Sequence, residues 1–239
     1  MYTREQFGKM IDHTLLRPDS SRDDILRLCD DAAERHLAAV CVFPCWVGTC
    51  VRQLSESDVK VCTVVSFPFG ADTRAVKNFA VRNAILNGAN ELDIVINIGK
   101  LKDGDIEGVR RDLEETLDGI RAAGATGLMF DDSRKVLSKI IIETGYLTNA
   151  EKETASKLVR DVGADFVKTS TGTYGQGATI DDVRLIRRAL GPGSVGVKAS
   201  GGIKTVQQAV DLLNAGANRI GTSSGAAIFD KYNPSEWSK

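Results

Sequence analysis

The sequence is poor in the residue types that build most metal, redox and disulfide sites. Its 239 residues include two histidines, His13 and His36, and five cysteines, Cys29, Cys41, Cys45, Cys50 and Cys62. An odd cysteine count without any C-x-x-C pair argues against a disulfide framework and against zinc, although Cys41, Cys45 and Cys50 cluster. Reduced thiols and no bound metal or cofactor are expected. A net charge of -1 leaves no broad basic face for nucleic acid or an anionic membrane. Any anionic ligand must therefore be held locally. The start, MYTREQFGKM, has no apolar signal region, and no run of about 18 apolar residues occurs anywhere. A cytoplasmic protein without a membrane span is expected. With five prolines and no Pro/Ser-rich linker, nothing divides the chain, so residues 1–239 are expected to form one domain.

What is present is a regular alternation. Short β-rich runs occur at IDHTLL (11–16), AAVCVF (38–43), KVCTVVSF (60–67), NELDIVINI (90–98), SKIIIE (138–143), DFVKT (165–169), SVGVKA (194–199) and NRIGT (218–222). Their ends lie 24 to 31 residues apart, about one βα unit, except for one gap of 45 before the fifth run. Helical patterns separate them. In RDDILRLCDDAAERH, Ile25, Leu28, Cys29, Ala32 and Ala33 share one face, and Ser20 or Ser21 with an acidic residue three positions on supplies the cap. Eight such units without hairpin signals predict an α/β fold, a single (β/α)8 TIM barrel, with a doubly wound open sheet as the alternative. The long gap contains GLMFDDSRKVL (127–137), read as a surface excursion.

Strand side chains alternate between the lumen and the helices. In the fourth run Leu92, Ile94 and Ile96 suit helix contact, which turns Glu91, Asp93, Val95 and Asn97 inward. The same parity sends Ile11, His13, Leu15, Val40, Val42, Ile140, Ile142, Val167, Val195 and Val197 outward. It sends Asp12, Cys41, Lys139, Ile141, Glu143, Lys168, Gly196 and Lys198 inward. Asp12, Cys41, Asp93, Lys139, Lys168 and Lys198 then converge toward the strand ends where barrel enzymes place their sites. Charges in such a layer can simply pair with one another. Two lysines together favour chemistry, because apolar residues would fill a layer at lower desolvation cost.

An exposed lysine is protonated at neutral pH and is no nucleophile. Burial and a second cation such as Lys198 both disfavour the ammonium form, so Lys168 is expected to supply a free amine. That amine could attack an aldehyde and form an iminium ion, an electron sink for making or breaking a carbon–carbon bond. Asp93 would move protons, with Lys198 as its cationic partner. Cys41 reads more simply as a small pocket-lining residue. The loops TSTGTYGQGAT, ASGGIKT and GTSSGAA bring glycines, hydroxyls and backbone N–H groups to one end, which suits a phosphate group. Gly201, Gly202, Ser223 and Ser224 are the expected contacts, although glycine turns also merely join strands to helices.

IDHTLL, AVCVFP, ELDIVINIG, KIIIETGYLT, DFVKTSTG, GVKASGGI and GTSSG, in this order over nearly the whole chain, resemble the deoxyribose-phosphate aldolase family. The resemblance implies a class I aldolase, needing neither metal nor cofactor. It would interconvert 2-deoxy-D-ribose 5-phosphate with acetaldehyde and D-glyceraldehyde 3-phosphate in deoxynucleoside breakdown. It implies Lys168 as the Schiff-base lysine, Lys198 as its perturbing neighbour and Asp93 as the proton-transfer residue. Asp12, Cys41, Lys139 and Thr169 match pocket positions, and Gly172 with the ASGG and TSSG loops matches the phosphate contacts. Two positions depart from the family pattern. Thr173 stands where some members carry a basic residue, leaving phosphate charge to backbone and hydroxyl groups. Tyr232, in FDKYNPSEWSK, does not align with the C-terminal tyrosine that some members use for proton transfer, so water would serve.

A sugar-phosphate isomerase or epimerase with Asp93 as base, or a non-catalytic sugar-phosphate binder, would fit the same barrel. His13 is expected to pack outward under a helix, and His36 to end the first main helix, where a cation suits the dipole. Trp46 is open between packing and substrate contact. Expected partners are a small phosphorylated sugar and an aldehyde, and the oligomeric state, a homodimer or larger homo-oligomer included, is left open.

Overall fold

A computed structural model describes residues 2–125, 136–193 and 195–237. Eight parallel strands run β1 (Ile11–Leu15), β2 (Ala39–Val42), β3 (Lys60–Val65), β4 (Glu91–Val95), β5 (Leu137–Ile141), β6 (Phe166–Lys168), β7 (Gly196–Ser200) and β8 (Arg219–Thr222). Each pairs with the next, and β8 pairs with β1, so the sheet closes into a barrel. This is the (β/α)8 architecture that the alternation predicts.

The helices wrap outside. They are α1 (Arg4–Gly8), α2 (Arg22–Glu34), α3 (Val47–Gln53), α4 (Arg74–Leu86), α5 (Ile98–Lys102), α6 (Ile106–Ala125), α7 (Asn149–Asp161), α8 (Ile180–Leu190), α9 (Val206–Asn214) and α10 (Gly225–Lys231). Their starts follow from local chemistry. Ser21 with Asp24, Thr148 with Glu151 and Thr205 with Gln208 form reciprocal capping boxes for α2, α7 and α9. On α2 the apolar stripe Ile25, Leu28, Cys29 and Ala32 is buried against the barrel.

The main core fills the space between barrel and helices, and it takes Ile11, Val40, Val42, Leu92, Ile94, Ile96, Ile140, Ile142, Val167 and Val197, the outward-parity set. A second, smaller cluster of Ala39, Cys41, Cys62 and Val64 lies in the lumen, covered by Leu16, Phe43 and Phe67 at the mouth. Trp46 is half-buried and packs against the main core. His13 is also outward and buried; a Cβ on Gly225 of α10 would come within 2.9 Å of its Nδ1. His36 follows the end of α2 with a φ of 49° and meets Asp58 at 3.1 Å.

Two inward assignments fail at strand ends. β4 stops at Val95, and Asn97 caps α5, its Oδ1 accepting the Lys100 N–H at 3.0 Å. β5 stops at Ile141, and Glu143 adopts a φ of 55°, so strand parity no longer governs it. Its carboxylate instead accepts the Thr171 N–H at 3.1 Å. The predicted excursion at 127–137 lies outside the described residues except for Val136 and Leu137, which lead into β5.

Candidate active site

The strand register brings Lys168 beside Lys198 on β6 and β7, and Asp93 beside Lys139 on β4 and β5. These side chains meet in the lumen, where all four are buried. Lys168 and Lys198 donate to Asp93 Oδ2 at 2.7 and 2.8 Å, and Lys139 donates to Asp93 Oδ1 at 2.9 Å. Lys198 also binds Asp12. Cys62 donates to Asp93 Oδ1 at 3.2 Å, and Cys41 sits 3.8 Å from Oδ2. One carboxylate thus holds three ammonium groups together.

Sequence reasoning missed two members of this cluster, Arg219 and Cys62, and the partners of a third, Glu91. Arg219 of β8 donates to Asp12 at 2.6 Å and to Glu91 at 3.3 Å. Glu91 lies 2.7 Å from Lys139, and Cys62 accepts from the same ammonium at 3.3 Å. Parity alone placed Glu91 inward but gave it no partner. Arg219 precedes a single apolar residue, Ile220, so its run carried no readable alternation.

Each ionisation state follows from a contest between burial and neighbouring charge. Burial opposes ionisation of Asp93, but Lys139, Lys168 and Lys198 outweigh it and hold the carboxyl well below its usual range. Asp12 is likewise lowered against the pull of burial, by Arg219, Lys198 and Lys139. Burial works against the charged forms of Lys139 and Lys198, yet their carboxylate partners, Asp93 foremost for Lys139 and Asp12 for Lys198, push both above the ordinary lysine range. Lys139 and Lys198 are therefore fixed cations. Burial, and the bond it makes with Cys41, push the Cys62 thiol up, while the same bond pulls Cys41 down.

Cys41, Cys62 and Asp93 bring ligand-type atoms within 4.8 Å of one another. A divalent cation does not fit them, because it would displace or face the three ammonium groups already on Asp93. Of the cysteines that lie close in sequence, Cys41 and Cys50 are buried and Cys45 is exposed.

Above the charged layer opens a cavity of about 250 Å3. Lys168 forms part of its floor, and Gly172, Gly201, Gly202 and Ser223 line its polar flank with Thr171 and Ser200. The glycines are required there. Gly172, Gly201 and Gly202 have φ values of 78°, 93° and 77°, and a Cβ on Gly201 would come 2.9 Å from Gly177 Cα. Five expected contacts lie outside the lining: Asp12, Cys41 and Lys139, buried in the charged layer, and Thr169 and Ser224. Thr169 is engaged with β7, its Oγ1 donating to Ser200 O at 3.2 Å and accepting the Ser200 N–H at 3.1 Å. Ser224 lies outside the cavity lining and donates its N–H to Thr222 Oγ1 at 2.9 Å. Conversely, Arg17 and Lys204 line the cavity, so its positive charge does not rest on backbone and hydroxyl groups alone. Both sit in loops, where no periodicity marks them.

Tyr232 is buried on a different face. It stacks on Phe7 at 3.9 Å and donates its hydroxyl to Tyr2 O at 2.9 Å, below the barrel at the N-terminal ends of the strands. It takes no part in the lumen.

A cavity flanked by glycines and hydroxyls above a buried, lysine-rich layer at the C-terminal mouth of a barrel is the arrangement of a lysine-dependent aldolase. The profile of the DeoC/LacD family aldolases matches residues 8–231, and the chain belongs to that family. A deoxyribose-phosphate aldolase of Thermococcus gammatolerans is 51% identical over 225 residues, covering 93% of this chain and 95% of that relative. In structure the chain is similar to a putative deoxyribose-phosphate aldolase from Coccidioides immitis, with a TM-score of 0.87 and 34% identity over 96% of this chain and 87% of the other. It is also similar to a tetrameric deoxyribose phosphate aldolase from Aeropyrum pernix, with a TM-score of 0.84 and 29% identity over 95% and 91%. Among the described residues no helix is long and apolar enough to cross a membrane.

Proposed function

We propose that this chain reversibly cleaves 2-deoxy-D-ribose 5-phosphate to acetaldehyde and D-glyceraldehyde 3-phosphate through a Schiff base on Lys168. The observation that carries the reading is the position of Lys168: it reaches the cavity floor, while its neighbours Lys139 and Lys198 remain buried among carboxylates.

The free amine of Lys168 attacks C1 of the open-chain aldehyde and gives a carbinolamine. Loss of water leaves an iminium ion. Removal of the C3 hydroxyl proton breaks the C2–C3 bond, its electron pair passes to the iminium as an enamine, and glyceraldehyde 3-phosphate departs. Protonation of the enamine carbon and hydrolysis release acetaldehyde and restore Lys168. Asp93, 2.7 Å from Lys168, shuttles these protons directly or through a water. Lys198 and Lys139 keep Asp93 ionised between steps. The phosphate lies on the glycine flank, where Gly172, Gly201, Gly202 and Ser223 offer backbone and hydroxyl groups and Lys204 and Arg17 add charge. Self-association into a homo-oligomer belongs to the same reading, supported by the likeness to the Aeropyrum pernix tetramer.

The reading predicts that Lys168→Ala abolishes acetaldehyde release from the phosphorylated sugar while inorganic phosphate still binds. Near-normal turnover in that variant would refute the Schiff base.

A further inference from the structure

Four cations, Lys139, Lys168, Lys198 and Arg219, share the lumen with three carboxylates, Asp12, Glu91 and Asp93. The layer therefore carries one surplus positive charge when every group is ionised. A guanidinium does not release its proton in a protein, so among the four cations only a lysine can relieve the surplus.

The ion pairs identify which one. Lys139 lies within 4.0 Å of three carboxylates, at 3.8, 2.7 and 2.9 Å from Asp12, Glu91 and Asp93. Lys198 has two, Asp12 and Asp93. Lys168 has one, Asp93, and it shares the same oxygen with Lys198. Arg219 takes Asp12 Oδ1 and Glu91 Oε1 and no oxygen of Asp93, so it adds a fixed charge to the layer without touching the one carboxylate that Lys168 has. Its guanidinium also lies over the Phe166 ring at 6.0 Å, and its side chain is 12% exposed, so little solvent screens it.

We propose that Arg219 is a positioning residue whose fixed charge makes Lys168 the lysine that gives up its proton. The inference rests on the aldolase reading and extends it by adding a second perturbing cation to Lys198. Arg219 does not line the cavity. The other groups facing the layer are the thiols of Cys41 and Cys62 and, above it, Glu143. Burial pushes the Glu143 carboxyl up against two bonds from Thr171 and the attraction of Lys168. Removing Arg219 lowers the layer's charge by one whichever form Glu143 takes.

The test is the pH profile of kcat/KM, paired with borohydride trapping of acetaldehyde on Lys168 across the same pH range. Arg219→Gln leaves three cations against three carboxylates. Its acid limb is expected to move to higher pH, with a loss of about tenfold near neutrality that is recovered on the alkaline side. Arg219→Lys should restore the limb. The double variant Arg219→Gln/Glu91→Gln restores a surplus of one and should return the limb toward its original position, which a merely structural role would not do. If Arg219→Gln does not fold, Glu91→Gln alone raises the surplus to two and should move the limb to lower pH. Trapping on Lys168 with an unmoved limb in these variants would overturn the inference alone. No trapped adduct in the unaltered enzyme would instead bring down the aldolase reading, and this inference with it.

Discussion

Lys168 and Lys198 donate to the same oxygen of Asp93, at 2.7 and 2.8 Å. Two ammonium groups on one carboxylate oxygen cannot both be fully compensated. The arrangement couples their protonation, and it places a proton acceptor within reach of whichever amine is free.

Asp93 is accordingly the residue whose charge the site depends on. Asp93→Asn keeps the shape but removes the anion, leaving three lysines without their shared partner. We expect kcat to fall by about 10²–10⁴, the usual weight of a lost general acid–base group. Steady-state kinetics with the phosphorylated sugar measure it, and a loss below tenfold would remove Asp93 from the proton path.

The cavity's two loop cations make a separate prediction about binding. Lys204→Ala should raise KM for 2-deoxy-D-ribose 5-phosphate by about tenfold, the loss of one charge-assisted contact of ~1.5 kcal/mol. With unphosphorylated 2-deoxyribose the same variant should behave like the parent. Equal effects on both sugars would place the phosphate elsewhere.

Acid should weaken the fold through the lumen. Asp12 and Asp93 are held below their unfolded carboxyl values, against burial, by the surrounding cations. Their contribution is thus fully present above the unfolded value of about 3.9 and is lost as pH falls through the lowered folded values. Asp12→Asn removes the Asp12 share of this dependence and leaves Arg219 and Lys198 short of a partner, at a cost of about 3–5 kcal/mol near pH 7. Urea denaturation should show the gap between parent and variant narrowing as the pH is lowered below that of an ordinary carboxyl group. A constant gap would contradict the assignment.

Tyr232 provides a control on the proton path. Tyr232→Phe forfeits the hydroxyl bond to Tyr2 O and should cost about 1 kcal/mol of stability while leaving kcat unchanged. A large fall in kcat with an unaltered fold would show that this tyrosine reaches the mouth during turnover.

The fold was largely legible because the strands advertise themselves. Leu92, Ile94 and Ile96 alternate with Asp93, and Ile140 and Ile142 with Lys139, so period-two parity alone places the inward charges. The family resemblance then carried residue roles that parity could not. Legibility stopped where alternation stops. β3 is buried along five of its six residues, so KVCTVV hid Cys62, and Arg219 lies in a run with one apolar neighbour. Strand ends were extrapolated too far, because neither the Asn97 cap nor the left-handed Glu143 has a periodic signature. Thr169 is a pocket position by family resemblance, and here its hydroxyl bonds the Ser200 backbone across the β6–β7 junction. Arg17 and Lys204 come from loops whose approach to the glycine flank is a product of tertiary packing.

The most direct test of the account is reduction with borohydride in the presence of acetaldehyde, followed by peptide mapping of the modified lysine. The expected result is a single ethyl adduct on Lys168, absent from Lys168→Ala and absent without borohydride. An adduct on Lys139 or Lys198, or no adduct under conditions where the enzyme cleaves 2-deoxy-D-ribose 5-phosphate, would contradict it.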